Sequence, residues 1–200
     1  RGWYRGHAAV ARRPLRRGRR ARGRERDRRP SLKELDLIFA EFENVLASRP
    51  TSINMLKVSG FAIFSTRRQD EICRIRWDDL DESRQMVMVR DMKNPGDKIG
   101  NNVWCHLPDE AWAILKSMPR TCDEIFPYNS ESVSTAWSRV CERAGVVDMH
   151  FHDLRHEGTS RIAEKLSNVL ELASVTGHKD LQMLKRYYHP RPGDIAAKLG

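Results

Sequence analysis

From residue 31 onward the apolar positions recur mostly with the rhythm of packed helices. Leu32, Leu35, Ile38 or Phe39, Phe42 and Leu46 fall at helical spacing, and Ser31 with Glu34 forms a capping box, so a helix is predicted from Ser31 to about Ala47. Arg49-Pro50-Thr51 breaks it, and a second helix is predicted over about 52–64 through Ile53, Leu56, Phe61 and Phe64. Glu71, Ile72, Ile75 and Trp77 then predict a short helix that turns into a strand or loop near Asp78.

Over residues 84–107 the period changes to two. Met86 and Met88 oppose Val87 and Val89, and Val103, Cys105 and Leu107 alternate with Trp104 and His106. Asn94-Pro95-Gly96-Asp97 is a turn signal between the two runs. Helical spacing resumes from Pro108-Asp109-Glu110 to about Met118, and again over Val133, Ala136, Trp137, Val140, Cys141 and Ala144 up to Gly145. Ile125-Phe126-Pro127 reads as a brief extended piece. The expected fold class is mainly α with a small antiparallel β element.

Residues 150–189 carry the densest chemistry. Phe151 and Leu154, then Ile162, Ala163 and Leu166, suggest one packed helix face, and His152 and Arg155 share a side at i,i+3. Val169, Leu170 and Leu172 begin another helix that Gly177 ends. Asp180 can cap a helix over 181–188, in which Leu181, Leu184 and Tyr188 form a stripe. Tyr187 lies about 100° round from Tyr188 on a helix, so Tyr188 reads as packed and Tyr187 as presented. Guanidinium groups and ring nitrogens gathered this way suit a site that grips a phosphate.

The segments HDLRH and TGHKDLQMLKRYYH resemble the C-terminal catalytic box of the tyrosine recombinases, the phage-integrase family. Members of that family carry His-x-x-Arg, a Gly-His pair some two dozen residues on, and a nucleophilic Tyr nine residues after that His. His152 with Arg155, Gly177-His178 and Tyr187 keep all three spacings. Upstream, the family's Arg three residues before a Glu, followed by a Trp-acid-acid step, matches Arg68, Glu71, Trp77, Asp78 and Asp79, with Arg67 as the neighbouring alternative. Asp70 stands where a Gly or Ser is usual. The family's hairpin lysine matches Lys93, with Lys98 as runner-up. The resemblance covers about residues 30–198 and implies the tyrosine recombinase catalytic-domain fold, with a site made of Arg68, Lys93, His152, Arg155, His178 and Tyr187.

By this resemblance the expected activity is site-specific cleavage and rejoining of double-stranded DNA through a 3′-phosphotyrosyl intermediate. Tyr187 would be the nucleophile, Arg68 and Arg155 the clamps on the phosphate, His152 the better candidate base, Lys93 the acid for the leaving 5′ oxygen, and His178 a hydrogen-bond donor to a non-bridging oxygen. No metal and no cofactor is called for. A homo-oligomer on DNA is implied, a tetramer in synapsis, with the C-terminal tail packing in trans or folding back on its own chain. A type IB topoisomerase-like relaxer and a truncated, non-catalytic DNA-binding module are the competing readings. The family's N-terminal core-binding domain has no match in residues 1–30.

Composition changes this picture at one end. Residues 1–30 hold thirteen Arg against Glu25 and Asp27, a net of +11, while the whole chain is +9, so residues 31–200 come to −2. The basic character thus belongs to the first thirty residues, expected to be a disordered arm or linker remnant ahead of a catalytic domain over 31–200. A phosphate-tracking arm, the remnant of an upstream domain and coding unlike the natural protein remain open readings of it. The four cysteines, at 73, 105, 122 and 141, show no ligand spacing and read as free, mostly buried thiols. No run reaches membrane-spanning length and no signal peptide is evident, so a cytoplasmic location is expected. His156 reads as a helix-surface or supporting residue, Glu71 as a helix-stabilising acid or an orienter of arginine, and Trp77, Trp104, Trp112 and Trp137 as packing.

Overall fold

The computed structural model describes residues 28–92, 100–166, 168–178 and 180–187. The order is α1 (Leu32–Ser48), α2 (Met55–Ser65), α3 (Gln69–Ile72), a 3₁₀ turn (Trp77–Asp79), β1 (Leu80–Asp81), β2 (Met86–Val89), β3 (Val103–His106), α4 (Asp109–Lys116), α5 (Ser130–Arg143), α6 (Asp153–Lys165), α7 (Val169–Thr176) and a 3₁₀ helix (Leu181–Tyr187). The fold is mainly helical with one small antiparallel sheet, as the two periodicities predict.

Helix α2 is the axis. Met55, Val58, Ser59, Gly60, Phe61, Ala62, Ile63 and Ser65 are all buried, so it is covered on nearly every side, as a helix of this apolar character must be. It begins three residues later than its apolar run suggests, because the Asn54 side chain accepts the Lys57 backbone N–H and caps it there. Helix α1 starts as predicted: Ser31 and Glu34 close the capping box. Its Phe42 meets Trp137 of α5 with ring centroids 5.9 Å apart, and Trp137 meets Phe151 edge-on at 5.5 Å while its indole N–H donates to the Met149 carbonyl. Rings buried in this way contribute roughly 1.5–3 kcal/mol each.

The sheet has three strands in the order β1-β2-β3, with Val87 paired to Cys105 and Met88 to Trp104. Val87, Val89 and Cys105 face the core. The first strand, two residues long, is too short for alternation to reveal. The Asn94–Asp97 turn, Lys93 and Lys98 lie outside the described residues, as do Tyr188 and the C-terminal tail. Of the arm expected over residues 1–30, residues 1–27 also lie outside them and 28–30 are described. Arg28 and Arg29 are held on the domain, Arg28 by Glu34 and the Val147 carbonyl, Arg29 by Glu157 of α6. Of the cysteines, 105 and 141 are buried, 73 is partly buried and 122 is exposed.

One expectation about α6 needs correcting. Its buried face is Asp153, Leu154, Arg155, Glu157, Gly158, Thr159 and Ser160, whereas Ile162 and Ala163 are only partly covered. Small and polar residues take the inner face because α6 crosses α2 at backbone contact. A carbon added at Gly158 would lie 1.9 Å from the Ile63 carbonyl oxygen. Gly158→Ala is therefore expected to lower the thermal midpoint by several degrees or abolish folding, since overpacking costs roughly 1–3 kcal/mol or more. Gly60→Ala, whose added carbon meets only the end of Ile114 at 3.1 Å, should stay within about 1 kcal/mol of the parent. Equal losses in urea unfolding would contradict so tight a crossing.

Candidate active site

Four chain segments converge at the C-terminal ends of α2 and α7. The turn after α2 supplies Arg67 and Arg68, the first turn of α6 supplies Arg155 and His156 with His152 at its cap, the residue after Gly177 is His178, and the final 3₁₀ helix ends in Tyr187. Arg155 is the anchor. Its Nη1 donates to the Thr66 carbonyl, and its Nη2 donates to the Thr176 carbonyl at 3.0 Å. Both acceptors lie at helix C-terminal ends, where the partial negative charge favours a guanidinium. Thr66 holds a left-handed φ of 55°, which turns the chain sharply out of α2.

The two neighbouring arginines divide their roles by burial. Arg67 is fully buried: Nε donates to the Ser65 carbonyl at 3.0 Å, Nη1 to Cys105 Sγ at 2.8 Å and Nη2 to the Val175 carbonyl at 2.6 Å. It joins α2, β3 and α7. Arg68 keeps 22% of its side chain exposed and is steered by Glu71, whose Oε1 accepts from Nη1 at 2.8 Å and whose Oε2 accepts from the Arg68 backbone N–H at 2.9 Å. Glu71 thus orients an arginine, one of its two expected uses. Asp70 turns aside: its Oδ1 accepts from the hydroxyl of Ser130, the first residue of α5, a position where a carboxylate is favourable.

Electrostatics follow from this crowding. Burial alone would raise the Glu71 carboxyl, but Arg67, Arg68, the Arg68 N–H and Arg155 overcome it and hold it below its ordinary range. Three guanidinium groups around one carboxylate leave a local excess of positive charge, a socket for an anion. Burial, then Arg67 and Arg68, lower the Arg155 pKa to about 9, which still leaves it charged at neutral pH. His152 is exposed along part of its surface, yet partial desolvation, then His156, Arg155 and Arg68, lower it to about 4. Burial, then Arg155, Arg68, Arg67 and His156, lower His178 to about 3. Both imidazoles are neutral at pH 7.

Arg155 Nη2 lies 3.2 Å from Nε2 and 3.5 Å from Nδ1 of His178. A guanidinium can only donate, so the nearer nitrogen, Nε2, is placed to accept from Arg155. His152 meets His156 edge-on with centroids 5.4 Å apart, and His156 meets Tyr187 at 5.9 Å. The Tyr187 hydroxyl hydrogen-bonds to His156 Nδ1. The structure thus brings together Arg68, His152, Arg155, His178 and Tyr187, while Lys93 is outside the described residues. His156, which the sequence suggests is a helix-surface or supporting residue, adjoins Arg155, and only the path of the final 3₁₀ helix puts it on the tyrosine. Of the tryptophans, 137 is core, 77 and 112 are partly buried, and 104 is exposed on the sheet. Among the described residues no three His, Cys, Asp or Glu side chains are arranged to hold a metal ion, and no helix is long and apolar enough to cross a membrane.

The sequence pattern of the Phage integrase family matches residues 31–193. The chain belongs to the phage integrase family. This integrase-family chain is 33% identical over 153 residues to a shufflon-specific DNA recombinase of Escherichia coli, a match covering 76% of this chain and 38% of the relative. It is 24% identical over 153 residues to the integrase of Salmonella phage P22, covering 68% and 39% respectively. It therefore spans less than half the length of either relative. Among solved structures, the catalytic domain of bacteriophage HP1 integrase superposes with a TM-score of 0.62 at 18% identity, covering 86% of this chain and 92% of that one. The Tn1549 transposon integrase, solved in complex with circular intermediate DNA, gives 0.66 at 13% identity, covering 88% and 67%. These likenesses show the tyrosine recombinase catalytic-domain fold.

Two measurements check the site's construction. Arg67→Lys should destabilise the domain strongly, because one ammonium cannot serve carbonyls and a thiol in different directions, whereas Arg68→Lys should leave the urea midpoint nearly unchanged. Equal losses would contradict the division of roles. The second concerns pH. An unfolded His titrates near 6.5, above the folded values for His152 and His178. The unfolded chain then binds more protons in acid, so the stability these groups contribute is present above about pH 6.5 and is lost toward pH 4 and 3. The urea midpoint should fall between pH 7 and 5, and His152→Gln with His178→Gln should flatten that fall.

Proposed function

We propose that this domain cleaves and rejoins DNA strands through a 3′-phosphotyrosyl intermediate, as a site-specific recombinase acting on double-stranded DNA and assembling on it as a homo-oligomer, a tetramer in synapsis. The observation that carries the reading is the Tyr187 hydroxyl held by His156 beside the anion socket of Arg68, Arg155 and His178. Membership of the integrase family supports the same chemistry.

The steps follow from the groups. A phosphodiester gains negative charge on its non-bridging oxygens as a fifth oxygen attacks. Arg155, fixed by two backbone carbonyls, and Arg68, fixed by Glu71, are preorganised donors that need no rearrangement at that moment. The phenol has an ordinary pKa near ~10, so it gains from an acceptor for its proton. The family resemblance points to His152 for that role, but the ring on the hydroxyl is His156, with His152 packed against it. The proton passes to His156 Nδ1 while the Tyr187 oxygen bonds to phosphorus and the bond to the 5′ oxygen breaks. Lys93 is proposed to give that oxygen its proton. A 5′-hydroxyl attacking the phosphotyrosine reverses the sequence and rejoins the strand.

The test is a nicked duplex that traps the covalent product, incubated with protein and resolved on a denaturing gel. The duplex carries repeats taken from beside the gene. An adduct is expected, abolished by Tyr187→Phe and retained by Tyr188→Phe, with His156→Ala slowing its formation by about 10²–10⁴-fold, the usual worth of a positioned acid or base. Salt-sensitive DNA binding without an adduct would instead support the non-catalytic module.

A further inference from the structure

His178 sits on a hydroxyl. Thr176, the last residue of α7, is fully buried, and its Oγ1 lies 2.6 Å from His178 Nδ1 and 2.7 Å from the Leu172 carbonyl oxygen one turn back. A hydroxyl has one proton for these two contacts. A carbonyl oxygen can only accept, so the Thr176 proton must point at Leu172. Otherwise two oxygens would face each other at 2.7 Å in a buried site with nothing between them, an expensive arrangement. The contact to His178 must then be made by a proton on Nδ1. The other assignment satisfies one contact and breaks one; this assignment satisfies both.

The rest of the turn keeps the ring in that place. Gly177 ends α7 with φ 70°, and the N–H groups of Gly177 and His178 both donate to the Ala173 carbonyl. A side chain at Gly177 would meet Met92 Sδ at 2.8 Å and Arg67 Nη1 at 3.2 Å, so the turn has no room to swing. Charged and titratable groups act on the ring from two other elements: Arg155 and His156 on α6, Arg67 and Arg68 on the turn after α2.

We propose that Thr176 is a positioning residue that fixes His178 as the Nδ1–H tautomer, so that Nε2 can hydrogen-bond to a phosphate oxygen only after taking up a proton. It rests on the reading of this site as a phosphodiester site. In the free protein the neutral ring turns its Nε2 lone pair toward Arg155 Nη2 at 3.2 Å and has no proton there to offer an anion. Burial first, then Arg155, Arg68 and Arg67, keep the ring neutral, and a phosphate would offset the share that belongs to the guanidinium groups. Anion entry therefore favours the imidazolium, and the site gains its last donor and one more positive charge when the phosphate is present. Burial holds the ring neutral beforehand.

Histidine-selective ¹⁵N NMR on the whole chain reads the tautomer directly, with His178→Gln used to assign the resonance. In the free protein at pH 7.5 His178 should show a proton on Nδ1 and a bare Nε2. Thr176→Ser should keep that pattern, and Thr176→Val should shift the ring toward the Nε2–H form. Sulfate, which does not itself titrate in this range, is the phosphate stand-in. Its addition should protonate His178 in the parent and in Thr176→Ser. Its affinity for the parent should fall about tenfold per pH unit on the alkaline side, the slope of one proton taken up, and Thr176→Val should flatten that slope. A free protein already protonated at Nε2, or sulfate bound with His178 still neutral, would overturn the inference. Neither result bears on the Tyr187 adduct, and a missing adduct would leave the tautomer standing, so the two failures are separable.

Discussion

The Arg155 guanidinium is the interaction on which the remaining geometry depends. It is buried between the C-terminal ends of α2 and α7 and held by the Thr66 and Thr176 carbonyls. Burying a charge is unfavourable unless it is paired and hydrogen-bonded, and here two helix ends and Glu71 supply the compensation. The same two contacts fix the distance between elements more than a hundred residues apart in sequence. Removing the guanidinium would release both helix ends, and with them the turn that carries Arg68 and the loop that carries His178.

That anchorage requires α6 to lie close to α2, which explains the composition of α6. Gly158 admits the Ile63 carbonyl, and Thr159 and Ser160 keep the inner face narrow. A helix with a conventional apolar stripe would stand farther off and carry Arg155 out of reach of Thr66. The hydrophobic work is transferred to α2, which is covered on all sides, and to the Phe42–Trp137–Phe151 stack that braces α1 and α5. Much of the hydrophobic stability therefore rests on residues outside the site.

The electrostatic design is one of unequal charges in a confined space. Arg67 and Arg155 are buried, Arg68 is partly exposed, and one carboxylate answers all three. Desolvation together with the excess positive charge holds two imidazoles neutral, and that charge leaves room for an anion's. Glu157 repeats the theme farther along α6, where Arg29 and Arg161 each take one of its oxygens, so the segment entering the domain is fastened to the helix that bears the site.

The sequence by itself determined much of this protein. Its two periodicities dictated the helical body and the hairpin, Ser31 and Gly177 marked helix ends to the residue, and the composite spacing of His152, Arg155, His178 and Tyr187 pointed to the family, because these are local patterns set by backbone geometry. Whether Arg67 or Arg68 faces the site rested on one spacing, and the structure separates them by burial. The direction of Asp70, the small-residue face of α6, the place of His156 on the Tyr187 hydroxyl and the contact of Thr176 with His178 were decided only in three dimensions. Each depends on which distant element arrives alongside: α5 at Asp70, α2 at Gly158, the final 3₁₀ helix at His156. Local periodicity reports which side of an element is apolar, and it carries no information about what a polar side chain will meet across a tertiary contact.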